Sequence, residues 1–381
     1  MKLSTLYCVL SLLQAALSSP IGPSKQLEAL HRRNVFYAGG EYVFNATQGG
    51  TILINQQYVE ELIPAAGAKH PYPIVFFHGG GISGAQWLNK DDGNAGWASY
   101  FLNQGYVVYI LDIWSVGRSS ATDLPPVLDA RTVELVEIAF SAPEVYKNYY
   151  QAQFHTQFPG TGLKGDPAFD DFYARLLPLQ FNARQENITR TSTCALLQII
   201  GPAFFISHSI GGSAAFLATD GCPTLVKGHV AVEADQAPFT SYDTSVVGAN
   251  MSSPARAYGI ADVPLTYDPP VTDPSQLVQK MTGQLQYKDG LLFRYPCIKQ
   301  GAPVHKLVNI AQAPVLFLTT QASVHILFDQ CLVQFLEQAG VNVNFTKLAD
   351  IGIEGNGHFS MLENNSDSIA TYILSWLVTH E

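Results

Sequence analysis

Ser209 lies where an apolar, strand-like run ends and a run of small residues begins. Residues 202–207 precede it, and two glycines follow it. A serine in a sharp turn between a strand and a helix presents its hydroxyl at the edge of the sheet, and this strained turn needs small neighbours. Ser207 and Gly211 occupy the positions two before and two after the serine. The pattern predicts that Ser209 is the nucleophile of an acyl-transfer reaction.

A second motif far upstream supports this interpretation. The apolar run 74–77 leads into His78-Gly79-Gly80-Gly81. In lipases and esterases such a loop donates a backbone N–H to the oxyanion, and the residue after the nucleophile donates the other. That residue is Ile210, at the start of the predicted helix 212–219. The two motifs in this order are typical of the α/β-hydrolase fold, a doubly wound and mostly parallel sheet.

A serine hydroxyl needs an imidazole within hydrogen-bond reach, and the imidazole needs a carboxylate to fix its tautomer. In this fold the order along the chain is serine, acid, histidine. His358 follows the predicted strand 341–348 and lies in a glycine-containing loop before the predicted helix 366–378. We therefore expect His358 to be the general base.

Other histidines fit the role less well. His325 opens a helix after the preceding strand, and we expect it to be structural. No strand precedes His305. The side chain of His208 is expected to point to the sheet side of the turn, and that of His78 to brace the glycine loop.

The acid is harder to assign, because the predicted strand 315–320 is not followed at once by a carboxylate. Asp329 comes later, inside a helix. One strand earlier, Glu233 stands at the end of the run 227–233. Neighbouring parallel strands end at the same edge of a sheet, so Glu233 is our first choice. Asp235 is the alternative, with a loop-capping role as its structural interpretation. Glu354 is expected to be a solvated turn residue.

The remaining pattern supplies the elements that must position these residues. Alternating residues at 37–44 and 51–59 predict an antiparallel hairpin. Strand 74–77, helix 96–103 and strand 106–112 form a βαβ unit. Two irregular stretches, about 121–190 and 239–312, are interpreted as insertions near the site, the first aromatic-rich and without a clean strand. A helix is expected at 193–200, and another at 326–338.

The composition and the N-terminal residues indicate the cellular compartment and the classes of binding partner. The chain has 381 residues, 14% of them charged, and a net charge of -10. The acidic balance argues against nucleic acid or an anionic membrane as partner. Residues 1–19 resemble a secretory signal peptide whose apolar core is too short to span a bilayer. We therefore expect one domain over 20–381, secreted or in the lumen of the secretory pathway, without stable membrane insertion.

Glycosylation and disulfides fit that compartment. Four cysteines remain after the leader, which allows three pairings, and free buried thiols are the alternative. Five N-x-Ser/Thr acceptor sites predict glycosylated surface loops. They are Asn45, Asn187, Asn250, Asn344 and Asn364.

Several motifs together resemble one branch of secreted α/β-hydrolases, first known from a bacterial esterase. The matching segments are 78–87, 92–97, 112–119, 207–209, Glu233 and 355–358. The resemblance implies a triad of Ser209, Glu233 and His358, with oxyanion donors at Gly80 and Ile210. It also implies that Asp112 and Arg118 anchor a loop. The chain departs from the branch at two places. One is Ile210, and the other is the glycine loop after His78, where glycines replace a cysteine pair.

The sequence thus predicts a serine esterase that cleaves a carboxylic ester or lactone of a small molecule through an acyl-enzyme. No metal and no organic cofactor is expected, and the oligomeric state is left open. One alternative keeps the fold and changes the chemistry to that of a cyclase, isomerase or acyltransferase. Another is a non-catalytic binding module.

Overall fold

An eight-stranded sheet forms the centre of the part of the chain that the computed structural model describes, namely residues 25–123, 130–178, 183–242 and 252–381. The expected leader and the acceptor site at Asn250 lie outside these residues. The strands run in the order β1-β2-β4-β3-β5-β6-β15-β16. Pairing is antiparallel from β1 to β4 and parallel from β4 onward. This is the doubly wound, mostly parallel sheet that the sequence predicts.

The elements have the following bounds. The strands are β1 His31–Asn45, β2 Gly50–Pro64, β3 Ile74–Phe77, β4 Val108–Leu111, β5 Ala203–His208, β6 Val226–Val232, β7 Thr240–Tyr242, β8 Ser252–Pro254, β9 Tyr267–Asp268, β10 Gln279–Thr282, β11 Gln286–Lys288, β12 Leu291–Arg294, β13 Cys297–Gln300, β14 Lys306–Leu307, β15 Val315–Thr319 and β16 Val343–Lys347. The helices are α1 Trp97–Gln104, α2 Val133–Val136, α3 Pro143–Tyr146, α4 Pro167–Ala174, α5 Ala183–Ile200, α6 Gly211–Gly221, α7 Asp329–Gln338 and α8 Ser366–Thr379.

The central strand β3 is apolar throughout because helices cover both faces of the sheet. Successive side chains of a strand point to opposite faces. In β3, Phe76 packs with Trp97 of α1 and Ile373 of α8. Its neighbour Phe77 packs on the other face with Leu197 of α5 and Ala215 of α6. All four residues of β3 are fully buried.

The antiparallel edge of the sheet is longer than the sequence predicts. The hairpin was expected at 37–44 and 51–59, whereas β1 and β2 each have 15 residues. Both strands continue into charged residues that do not follow the alternating pattern. A prediction from hydrophobic periodicity alone therefore makes the two strands too short. The outer strand β1 exposes Tyr42 and Phe44 to solvent.

The first predicted insertion is shorter than expected on its C-terminal side. The helix expected at 193–200 begins at Ala183 and has 18 residues. Its first half is polar, which hides it from a search for apolar periodicity. The described residues 130–178 of this insertion form α2, a π-helical turn at Glu137–Ser141, α3 and α4, and none of the strands.

The second insertion carries the small two-stranded sheets β7/β8, β9/β14, β10/β13 and β11/β12. A disulfide between Cys297 and Cys331 joins β13 to α7. A second disulfide between Cys194 and Cys222 joins α5 to the end of α6. The structure therefore selects one of the three pairings that the sequence allows.

Within the described ranges, we find no helix that has both the length and the apolar character needed to cross a bilayer.

Candidate active site

The turn at Ser209 has the strained geometry that the sequence predicts. Ser209 is partly exposed and has a φ of 52°, a conformation that is uncommon for a non-glycine residue. A Cβ atom on Gly211 would lie 2.5 Å from the carbonyl oxygen of His78, so only glycine fits at this position. The Asp235 N–H donates to the Ser209 carbonyl oxygen at 2.6 Å. The hydroxyl of Ser209 makes no hydrogen bond to a described residue.

The glycine loop lies directly beside this turn. A Cβ atom on Gly79 would lie 3.3 Å from the Cβ atom of Ser209. Among the described residues, neither the Gly80 nor the Ile210 amide donates a hydrogen bond to a protein acceptor. Ile210 immediately precedes α6, so its amide lies at the positive end of that helix. Two free amides beside a nucleophile can stabilise an oxyanion.

His78 braces this loop, as expected. Its Nδ1–H donates to the Gly79 carbonyl oxygen at 2.7 Å, and its Nε2 accepts from the Ile113 N–H at 2.9 Å. Burial lowers the pKa of His78, which keeps the ring neutral and able to accept that bond. The loop after β4 and the glycine loop are thereby held together.

Glu233 and His358 meet at the carboxyl edge of the sheet. His358 Nδ1 lies 2.7 Å from Glu233 Oε2, and both side chains are buried. The other oxygen, Oε1, accepts from the Thr320 N–H at 2.8 Å and from the Thr320 hydroxyl at 2.6 Å. These donors come from the strand end next to β6, because β6 and β15 are paired in parallel. The carboxylate is thus fixed with one oxygen toward the imidazole.

The electrostatics of the pair suit a general base. Burial lowers the pKa of His358 well below its ordinary value, so the ring is neutral at pH 7. Burial raises the pKa of Glu233, while hydrogen bonds from Thr320 and Ser323 act in the opposite direction. A neutral imidazole with Nδ1–H directed at a carboxylate has Nε2 free to accept a proton.

Two further histidines, His325 and His208, pack against His358. The ring of His325 stacks on that of His358, with centroids 4.2 Å apart and planes 12° apart. Asp329 holds His325 at a Nδ1–Oδ1 distance of 3.1 Å. His208 was expected on the sheet side of the turn, but its Nε2 donates to the His358 carbonyl oxygen at 2.9 Å. His208 directly precedes Ser209 in the sequence. The loop that carries His358 crosses the same edge of the sheet, so the two histidines come into contact.

The spacing of Glu233, His325 and His358 would also suit a metal ion, since one ligand atom from each lies within 4.8 Å of the others. Ring geometry opposes this interpretation. Imidazole lone pairs lie in the ring plane, so two nearly parallel stacked rings do not direct them to one point. In addition, Nδ1 of His358 already faces Glu233. The group therefore fits proton transfer better than metal binding.

The rival residues lie elsewhere. Asp235 is buried against Arg256, with Oδ1 3.4 Å from the guanidinium, and does not contact His358. His305 donates from Nδ1 to the Pro269 carbonyl oxygen, within the second insertion. Glu354 is exposed.

The segment after β4 is anchored in the way the resemblance implies. Arg118 forms a two-point contact with Asp112, at 2.8 and 3.0 Å, and a third bond to Glu60 at 2.8 Å. The Arg118 N–H also donates to Asp112. This network holds a loop and leaves the reacting groups untouched.

The first insertion adds an aromatic wall that the sequence locates only in outline. Phe140, in the π-helical turn, stacks on His358 with centroids 5.5 Å apart and packs edge-on against Phe359. Nothing in the spacing of the aromatics of this segment distinguishes Phe140, because others in it, such as Tyr149 and Phe172, are buried as well.

The glycosylation acceptor sites among the described residues are accessible, but only some of them lie in loops. Asn45 lies at the end of β1 and Asn364 before α8. Asn187 lies within α5 and Asn344 within the edge strand β16, where loops were expected. Asn187, Asn344 and Asn364 are exposed, and Asn45 is partly exposed.

Comparisons with known proteins agree with this architecture. The model of the alpha/beta hydrolase family matches residues 74–371. A relative from a fungus (Fungal sp., strain ATCC 74256), described as a probable secreted lipase phiG, is 36% identical over 344 residues, covering 90% of this chain and 88% of that protein. The atomic-resolution structure of a novel bacterial esterase superposes with a TM-score of 0.58 at 19% identity, covering 95% of this chain and 99% of that one.

The family match runs from β3 into α8 and so includes the glycine loop, the serine turn and the histidine loop. Since it spans well over half of the sequence, the chain belongs to the alpha/beta hydrolase family.

Proposed function

We propose that this protein is a secreted serine hydrolase that cleaves a carboxylic ester or lactone of a small molecule. The observation that carries the proposal is the buried pair of Glu233 and His358, 2.7 Å apart at the sheet edge where the strained turn presents Ser209. A neutral histidine fixed by a carboxylate, together with a strained serine whose hydroxyl is unbonded, is the combination that nucleophilic catalysis requires.

The reaction would begin with attack of Ser209 Oγ on the ester carbonyl while His358 Nε2 takes the hydroxyl proton. The Gly80 and Ile210 amides would hold the oxyanion, each contributing about 3 kcal/mol in the transition state. His358 would then protonate the leaving alcohol, which leaves an acyl group on Ser209. Water, deprotonated by the same imidazole, would release the acid and restore the serine. Catalytic hydrogen bonds often tighten only when substrate is bound, so the unbonded hydroxyl of Ser209 agrees with this role.

The surroundings of His358 support a substrate with an apolar part. Phe140 covers one side of His358, and the described residues 130–178 of the first insertion would form a wall above the sheet edge. The fungal relative described as a lipase supports ester chemistry, and its description as secreted supports an extracellular or lumenal location. The two disulfides fit that oxidising compartment. N-glycosylation at the acceptor sites is part of the proposal.

A fluorophosphonate probe tests the nucleophile directly. We expect the folded wild type to be labelled on Ser209 alone, as mapped by peptide mass spectrometry, and to hydrolyse short-chain nitrophenyl esters. Ser209→Ala should abolish both signals, whereas Ser207→Ala, two residues earlier near the end of β5, should retain labelling. A folded wild type that is neither labelled nor active on any acyl chain length would refute the proposal and favour a binding module. Labelling without hydrolysis would favour a transferase or cyclase.

A further inference from the structure

A buried imidazole outside the proposed triad lies between two carboxylates. His155 Nδ1 is 2.7 Å from Glu144 Oε2, and His155 Nε2 is 2.8 Å from Glu363 Oε1. Only 3% of His155 is exposed. Because both ring nitrogens face carboxylate oxygens, both carry protons and the ring is a cation. We call Glu144, His155 and Glu363 the His155 bridge.

The bridge joins the first insertion to the loop that carries His358. Glu144 belongs to α3, and His155 follows the short helix Tyr150–Phe154. On the other side, both oxygens of Glu363 accept from the Gly357 N–H, at 3.0 and 3.1 Å. Gly357 directly precedes His358, so the hydrogen-bonded chain ends one residue from the proposed base.

Main-chain contacts run beside the bridge. The N–H groups of Thr156 and Gln157 both donate to the Gly355 carbonyl oxygen, at 2.9 and 3.2 Å. The Asn364 N–H donates back to the Gln157 carbonyl oxygen at 2.9 Å. A Cβ atom on Gly357 would lie 2.8 Å from His155 Nε2, so the two segments touch without space for a side chain.

We propose that His155 is a positioning residue for catalysis, which fixes the loop 355–358 against the first insertion so that His358 is held in line with Ser209. This inference rests on the proposed function. It makes residues 143–157 a fixed wall of the site, in contrast to a lid that opens and closes.

A purely structural role is the competing explanation. A buried charge group is by itself weak evidence for stability. The position of this one is specific, however, because its hydrogen bonds end at the residue before the base. A displacement of about 1 Å in a catalytic group can cost 10²-fold in rate. Loss of His155 should therefore lower kcat far more than it changes KM.

The charge of the His155 bridge predicts a specific pH dependence of kcat. The groups that face His155 are the carboxylates of Glu144 and Glu363, which outweigh burial and raise its pKa to about 9. Asp91 adds a further acidic group whose charge interacts with that of Glu363. When His155 loses its proton, one of the two carboxylates loses its donor and the loop is released. We expect kcat to fall as the pH rises through about 9, where His358 is already neutral.

The test compares four variants across pH 5–10 with a short-chain nitrophenyl ester. His155→Gln should lower kcat 10- to 100-fold at pH 7, leave KM within threefold, and abolish the alkaline limb. Glu144→Gln, at a side chain that is 31% exposed, should fold readily and move the limb to lower pH because one carboxylate is lost. His155→Lys keeps the cation and should recover part of kcat with the limb at higher pH. His305→Gln removes another buried histidine, which donates to Pro269 within the second insertion, and should leave kcat unchanged.

Hydrogen exchange of the peptide that contains residues 355–358 separates this inference from the proposed function. Faster exchange in His155→Gln than in His305→Gln would support the bridge even if the wild type hydrolysed no ester. Exchange equal to wild type, a kcat change below threefold, or an alkaline limb unmoved in Glu144→Gln would overturn it.

Discussion

Glu233→Gln is the sharpest test of the proposed triad, because the structure fixes how the new amide must turn. Oε1 of Glu233 faces two Thr320 groups, and one of them, the main-chain N–H, can only donate. In the variant the amide oxygen must therefore take this place, which directs the NH₂ group at Nδ1 of His358. Nδ1 then has to accept, and its proton moves to Nε2.

An imidazole with its proton on Nε2 cannot accept one from Ser209. For an analogous change of carboxylate to amide in a serine protease triad, kcat falls about 10⁴-fold, which corresponds to about 5.5 kcal/mol in the activation barrier. We expect a loss of this order for Glu233→Gln with a nitrophenyl ester at pH 7. Because glutamine has nearly the same shape, the midpoint of thermal unfolding should move by a few degrees at most.

Asp235→Asn is the matched control, since it makes the same chemical change two residues away. Asp235 faces Arg256 and does not contact His358, so its variant should keep kcat within about tenfold of wild type. The reasoning would be refuted if Glu233→Gln retained near-full activity while Asp235→Asn lost it.

Three other predictions concern pH, a disulfide and the serine turn. Since burial lowers the pKa of His358 and the base must be neutral, the acid limb of kcat/KM should have its midpoint below pH 6.5; a midpoint at 7 or above would contradict the assigned environment. Replacing Cys194 and Cys222 by serine removes a cross-link across 28 residues and should cost about 3–4 kcal/mol of unfolding free energy by the chain-entropy relation, measured by urea titration; a change below 1 kcal/mol would count against the pairing. Gly211→Ala sets a Cβ atom 2.5 Å from the His78 carbonyl oxygen and should lower both the thermal midpoint and the labelling rate of Ser209, whereas an unchanged labelling rate would show that the turn tolerates a side chain.

Much of the fold could be predicted because local patterns and global architecture agree here. The strand 74–77 has the bounds that its apolar run predicts, and the serine turn adopts the positive φ that its small neighbours imply. Parallel strands that are buried on both faces are conspicuous in a sequence. Element ends were less accurate, since α5 starts in a polar stretch. The N-cap position of α8 is Asn365, whose side chain makes no capping hydrogen bond, so no capping signal marks the start of that helix.

The surroundings of the base could not be predicted in the same way. His325 stacks on His358, and His208 bonds to its carbonyl oxygen, across 33 and 150 residues of chain. Such contacts follow from how loops cross the sheet edge, which periodicity does not encode. Glu363 and His155 are 208 residues apart, and neither belongs to a motif. Glu233 could be predicted only because the order of neighbouring strands restricts which carboxylates can reach one imidazole.

The separation of Glu233 and His358 by 125 residues has a consequence for biosynthesis. Chains grow at about 5–20 residues per second, so the carboxylate would precede the imidazole at the ribosome by roughly ten seconds. The serine turn comes earlier still. A triad of Ser209, Glu233 and His358 would therefore stay incomplete until synthesis has passed residue 358.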